Sequence, residues 1–133
     1  MILVDSSVWI DFFRGTATPQ TLRLEGLLDS QVVAIGDLNF IEVLQGCKVA
    51  REFNEVRRLL GRLNQIALCG ADIVVPAASN YLKLRSLGVT VRGTIDVVLA
   101  TRCIVSGHRL LHSDRDFEVF EKHLGLMCVN SNP

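Results

Sequence analysis

Short unbroken apolar runs alternate with longer stretches in which apolar residues recur at helical spacing. Met1–Val4 is apolar until Asp5 interrupts it, which predicts a strand buried on both faces. Val32–Ile35 repeats that pattern, and Ile66–Cys69, Arg109–His112 and Leu126–Val129 predict three further short strands. Ser6 and Ser7 can cap a helix over Val8–Arg14 that Gly15 stops. Thr18-Pro19 opens a second helix, with Leu22, Leu24, Leu27 and Leu28 on roughly one side. Gly36-Asp37 leads into a third, carrying Leu38, Ile41 and Leu44 inward. Arg51–Leu63 is amphipathic, with Phe53, Val56, Leu59, Leu60 and Leu63 facing in. Asp72 reads as the cap of a helix ending at Leu87-Gly88, with Pro76 in its first turn. Thr94 caps Ile95–Ser106, which Gly107 terminates, and Asp116–His123 forms the last helix. Strands alternating with helices predict an α/β fold with a mostly parallel sheet.

Composition narrows the class. A chain of 133 residues, 49% hydrophobic and with mean hydropathy +0.33, fits one folded domain over 1–133 and excludes disorder. Its 14 basic and 14 acidic residues cancel, which removes the bulk electrostatic case for a nucleic-acid binder. The balance is uneven along the chain, with an acidic front, a basic middle and an acidic back. Cys47, Cys69, Cys103 and Cys128 form no CxxC pair, excluding zinc-ribbon and thioredoxin-like motifs. Neither a signal peptide nor an apolar run approaching the roughly 20 residues of a membrane span is visible. The expectation is a cytoplasmic protein with no membrane association and reduced, mostly buried thiols. His108 and His112 straddle a helix end and a strand, which argues against a metal pair. Trp9, Phe12 and Phe13 crowd a short helix, so at least one is expected to face a partner.

Candidate chemistry lies in the acids. Ligands of parallel sheets gather beyond the carboxyl ends of strands. Asp5 ends the first strand, Asp114 and Asp116 follow the fourth, Glu42 lies on the helix after the second, and Asp96 sits in a helix first turn. Each has a plainer reading: Asp5 as a helix cap, Asp96 as a dipole-favoured acid, Glu42 as a solvent-facing charge, Asp114-Arg115-Asp116 as a turn. Converging, they would repel one another unless a divalent cation were bound. Several hard oxygen ligands suit Mg²⁺ or Mn²⁺, either of which can activate water for phosphodiester cleavage. Acids alone would repel a polyanion, so Arg85, Arg92 and Arg102, from the basic middle and close in sequence to Asp96, are the candidate contacts to such a substrate.

These residues carry a resemblance. Ile2-Leu3-Val4-Asp5-Ser6-Ser7-Val8-Trp9-Ile10, then Glu42 followed by Gly46, then Thr94-Ile95-Asp96-Val97-Val98-Leu99-Ala100, then Ser113-Asp114-Arg115-Asp116-Phe117 resemble a PIN domain in order and spacing. Among PIN domains, a chain of this length is similar to the VapC-type toxins of toxin–antitoxin pairs. The resemblance implies a three-layer α/β/α sandwich with a mostly parallel five-stranded sheet. It also implies Mg²⁺- or Mn²⁺-dependent endoribonuclease activity on cellular RNA, neutralised by a small VapB-type antitoxin. Asp5, Glu42, Asp96 and Asp114 would be the catalytic, metal-holding acids, Asp116 a fifth, and Ser7 and Thr94 supporting polar residues. A homodimer formed through the early helices is implied too. Alternatives are a PIN nuclease of RNA processing outside any toxin pair and a non-catalytic receiver-like α/β module. A dehalogenase-type phosphatase is excluded, since Asp5-Ser6-Ser7 lacks its DxD.

Overall fold

A computed structural model of the chain describes residues 1–91 and 93–130. One sheet of five strands has the order β3-β2-β1-β4-β5, and every neighbouring pair is parallel. The strands are β1 (Ile2–Val4), β2 (Val33–Gly36), β3 (Asn64–Ile66), β4 (Arg109–Leu111) and β5 (Met127–Cys128). Between β1 and β2 lie α1 (Ser6–Phe13) and α2 (Pro19–Leu28). Between β2 and β3 lie α3 (Asp37–Gln45) and α4 (Ala50–Leu60). Helices α5 (Ala71–Ser86) and α6 (Thr94–Ser106) precede β4, and α7 (Asp116–Leu124) precedes β5. The expected α/β/α sandwich forms.

Alternation along the strands explains why they read as unbroken apolar runs. Ile2 and Val4 join the layer holding Trp9, Leu24, Val43 and Val56, whereas Leu3 joins Ile73, Leu99, Phe117 and Phe120 on the other face. Val33 and Ile35 divide from Ala34, and Leu111 from Leu110, in the same way. A parallel sheet covered on both faces needs apolar side chains at successive positions. At Gly36 the contact is too close for any side chain. A Cβ there would lie 2.7 Å from Cγ of the fully buried Leu68.

Chain order reverses between β1 and β4, because β2 and β3 extend one way and β4 and β5 the other. Such a reversal opens a crevice at the carboxyl ends of the two central strands. The Asp5 amide donates to the Leu111 carbonyl at 3.0 Å and joins those ends.

Several local expectations are corrected. The α3 face is rotated: Ile41 is 50% exposed, and Asn39 and Val43 are the buried residues of that helix. Leu22 and Phe53 also point outward. Strand β3 comes earlier than expected, since Leu68 turns inward and donates its amide to Asp37 Oδ1 at 3.0 Å. Gly70, not Asp72, caps α5, because Asp72 is drawn into an ion pair with Arg102, and Pro76 falls in the second turn. Gly93, not Thr94, caps α6, its carbonyl accepting the Val97 amide at 3.2 Å. Trp9 is buried, whereas Phe12, edge-on to it, and Phe13, stacked on it, each with ring centroids 6.1 Å away, stay only half-buried. Of the thiols only Cys103 is fully buried, and Cys69 is exposed.

Candidate metal centre

Asp5 follows β1 directly and remains buried. It stands at the N-cap position of α1 with extended backbone, yet its carboxylate makes no capping bond. Oδ2 instead accepts a hydrogen bond from Ser7 Oγ at 2.6 Å. Ser7 Oγ also lies 3.2 Å from Ser113 Oγ, tying the exit of β1 to the exit of β4. Asp114 follows on that exit, and its Oδ1 accepts the Asp116 amide at 3.0 Å. This side-chain turn starts α7 and holds the two acids together.

Glu42 is half-buried on α3, where its Oε1 accepts from Ser6 Oγ at 2.7 Å. Asp96 lies in the first turn of α6 and is half-buried. A Cβ at Gly93 would approach Asp96 Oδ2 to 3.1 Å, so the glycine leaves room for that carboxylate.

One carboxylate oxygen each from Asp96, Asp114 and Asp116 can be chosen so that all three lie within 4.8 Å of one another. Asp5 and Glu42 are not in that group of three, but their charges act on Asp96. Asp96 is pushed up to about 7, first by burial, then by the charges of Asp5, Asp114, Glu42 and Asp116. Among the described residues, every charged group that shifts Asp96 is an acid. Asp5 is raised as well: burial outweighs the Ser7 hydroxyl and the Ser6 and Ser7 amides, and Glu42 adds to the rise. The fold brings all five acids into one field, which a bound divalent cation would relieve. A donor set made only of oxygen fits a hard cation such as Mg²⁺ or Mn²⁺.

The supporting residues divide. Ser7 holds Asp5, whereas Thr94 is an exposed first-turn residue. Arg85 lies over the Tyr81 ring at 5.9 Å and donates to its hydroxyl at 3.2 Å. Arg102 is engaged elsewhere, pairing with both Asp72 oxygens at 2.9 and 3.0 Å and donating to the Leu68 carbonyl at 3.0 Å. Arg92 lies outside the described residues. Ser6, Asn39 and Ser113 join this network without having been expected among the site residues. The signal for Asn39 was a polar residue one helical turn before Glu42 in an otherwise apolar segment.

The PIN domain model matches residues 2–122. The chain belongs to the PIN domain family. This PIN domain is 29% identical over 132 residues to ribonuclease VapC11 of Mycobacterium tuberculosis, covering 98% of each. Its fold is shared with the DNA-bound VapBC structure from Salmonella typhimurium, at TM-score 0.77 and 16% identity over 98% of this chain and 97% of that one. A toxin–antitoxin complex from Klebsiella pneumoniae matches at TM-score 0.69 and 19% identity over 98% of both chains. Among the described residues, no helix of the PIN domain is long and apolar enough to cross a membrane.

Proposed function

We propose that this single-domain PIN protein is a metal-dependent endoribonuclease of the VapC type, a toxin that cleaves cellular RNA in the cytoplasm. The observation that carries the reading is the set of four acids, Asp5, Glu42, Asp114 and Asp116, acting on a fifth, Asp96, at the crevice between β1 and β4. The similarity to a relative named as a ribonuclease supplies the substrate class.

Asp5, Glu42, Asp96 and Asp114 would hold Mg²⁺ or Mn²⁺, with Asp116 as a fifth acid beside them. When bound, the cation supplies an activated water and neutralises charge on the phosphate. Ser7 keeps Asp5 oriented through its 2.6 Å bond, and the Asp114 turn keeps Asp116 at the mouth of the crevice. Bare acids repel a polyanion, so the RNA needs cationic contacts around the crevice. Arg85, exposed beside Tyr81, is a candidate for that grip.

The partners we propose are a small VapB-type antitoxin and a second copy of this chain. The likeness to toxin–antitoxin structures supports the first. For the second, the outer face of α5 is better suited than α1, because Val75 is 73% and Leu82 70% exposed while Trp9 is buried. The test is cleavage of RNA by purified protein in Mg²⁺ or Mn²⁺, with and without EDTA, and with Asp5→Asn beside wild type. Cleavage that needs the metal and the Asp5 carboxylate is expected. Equal cleavage in excess EDTA would overturn the mechanism.

A further inference from the structure

We infer that Asn39 is a positioning residue for Glu42, acting through the Ser6 hydroxyl; this rests on the reading of the acids as a metal site. Asn39 and Glu42 lie three residues apart on α3, which puts them on one side of the helix. Asn39 is 0% exposed, in the layer between α3 and α1 where apolar side chains would ordinarily pack. Its Nδ2 donates to Ser6 Oγ at 2.9 Å, and Ser6 Oγ donates to Glu42 Oε1 at 2.7 Å.

Donor counting sets the direction of this chain. An ionised carboxylate only accepts, so the single Ser6 hydroxyl proton goes to Glu42. The Ser6 oxygen must then accept, and only the NH₂ end of Asn39 can supply that proton. The amide thus holds the hydroxyl in the one orientation that serves Glu42. The arrangement carries a penalty, because Asn39 Oδ1 has no hydrogen-bond partner among the described residues. A buried carbonyl left unsatisfied is unfavourable, whereas an apolar side chain of similar shape would be near neutral or stabilising. Stability alone therefore does not explain an asparagine here; orientation of Glu42 does.

This separates a positioning role from a structural one. In Asn39→Leu, thermal stability should hold or rise while Mn²⁺ affinity, measured by titration calorimetry, falls on the order of 10-fold, as is typical when a partner behind a metal ligand is lost. Ser6→Ala should show the same loss, and Ser6→Thr, which keeps the hydroxyl, should recover it. In the Ser6→Ala background, Asn39→Leu should add nothing to the loss, because its route to Glu42 is already cut. Should leucine fail to pack, Asn39→Ala takes its place in the same cycle. Under RNA cleavage the loss should appear as a raised metal requirement, with the rate recovering at saturating Mn²⁺. Unchanged Mn²⁺ affinity in Asn39→Leu, or losses that add in the double variant, would overturn the inference while leaving the metal site standing. A wild-type chain that binds no Mn²⁺ would overturn the metal site itself, and this inference with it.

Discussion

Asp5 and Asp96 reach the same crevice from different elements, and after burial the Asp5 carboxylate is the largest influence raising Asp96. Asp5 arrives at the end of β1 and Asp96 in the first turn of α6, 91 positions later in the chain. Neither element makes a site alone. The parallel pairing of β1 with β4, just downstream of α6, brings them together.

The raised Asp96 has a definite consequence for stability. Its carboxyl titrates near 3.8 when unperturbed and near 7 in the fold, so the folded state binds the extra proton between those values. Stability contributed by the protonated form is present at low pH and is lost as pH rises through about 7. Asp5, also raised, acts with the same sign, whereas His108, lowered by burial, acts oppositely. In EDTA, the difference in melting temperature between Asp96→Asn and wild type should therefore grow in favour of Asp96→Asn from pH 4 to pH 8. Adding Mg²⁺ at pH 8 should reverse the trend for wild type alone. Differential scanning calorimetry across that range checks both.

Two glycines should respond oppositely to the same substitution. Gly36→Ala forces a methyl onto Leu68 in a packed layer and should destabilise by about 1–3 kcal/mol. Gly26 sits within α2 with nothing within 4 Å of an added Cβ. Gly26→Ala should stabilise by roughly 0.5–1 kcal/mol through helix propensity. Chemical denaturation of the two variants beside wild type decides the matter.

The outer face of α5 should control assembly. Leu82→Asp places a charge where an apolar side chain is 70% exposed, so the monomer's stability should change little. A homodimer packed through this face would lose mass in light scattering, whereas Phe13→Ala on α1 would leave the mass unchanged. The opposite pattern would return the interface to α1.

Strands are legible in this sequence because a sheet covered on both faces leaves unbroken apolar runs, as at Ile2–Val4 and Val33–Ile35. The inner face of α3 is not. The spacing of Leu38, Ile41 and Leu44 points Ile41 inward, but the inner side belongs to Asn39, whose amide serves Ser6. Hydropathy scores such a residue as misplaced, so the signal is inverted where function uses a buried polar group. The five acids are legible singly, from their places after strand ends and in helix first turns. Ser7, two positions from the Asp5 it holds, is legible too, but the Ser6–Glu42 and Ser7–Ser113 contacts are not, because they join across 36 and 106 positions. Arg102 shows the converse: closeness in sequence to Asp96 suggested an RNA contact, yet its guanidinium closes on Asp72 at the start of α5.

The acids around Asp96 are proposed to form one divalent-cation site. Anomalous diffraction from crystals of the wild-type protein soaked in Mn²⁺ tests it most directly. The expected map has a strong peak bonded to a carboxylate oxygen of Asp96 and to at least one of Asp114 and Asp116, absent in Asp96→Asn crystals treated alike. A map with no peak in the crevice between β1 and β4, from crystals whose Mn²⁺ uptake is confirmed elsewhere on the protein, would contradict it.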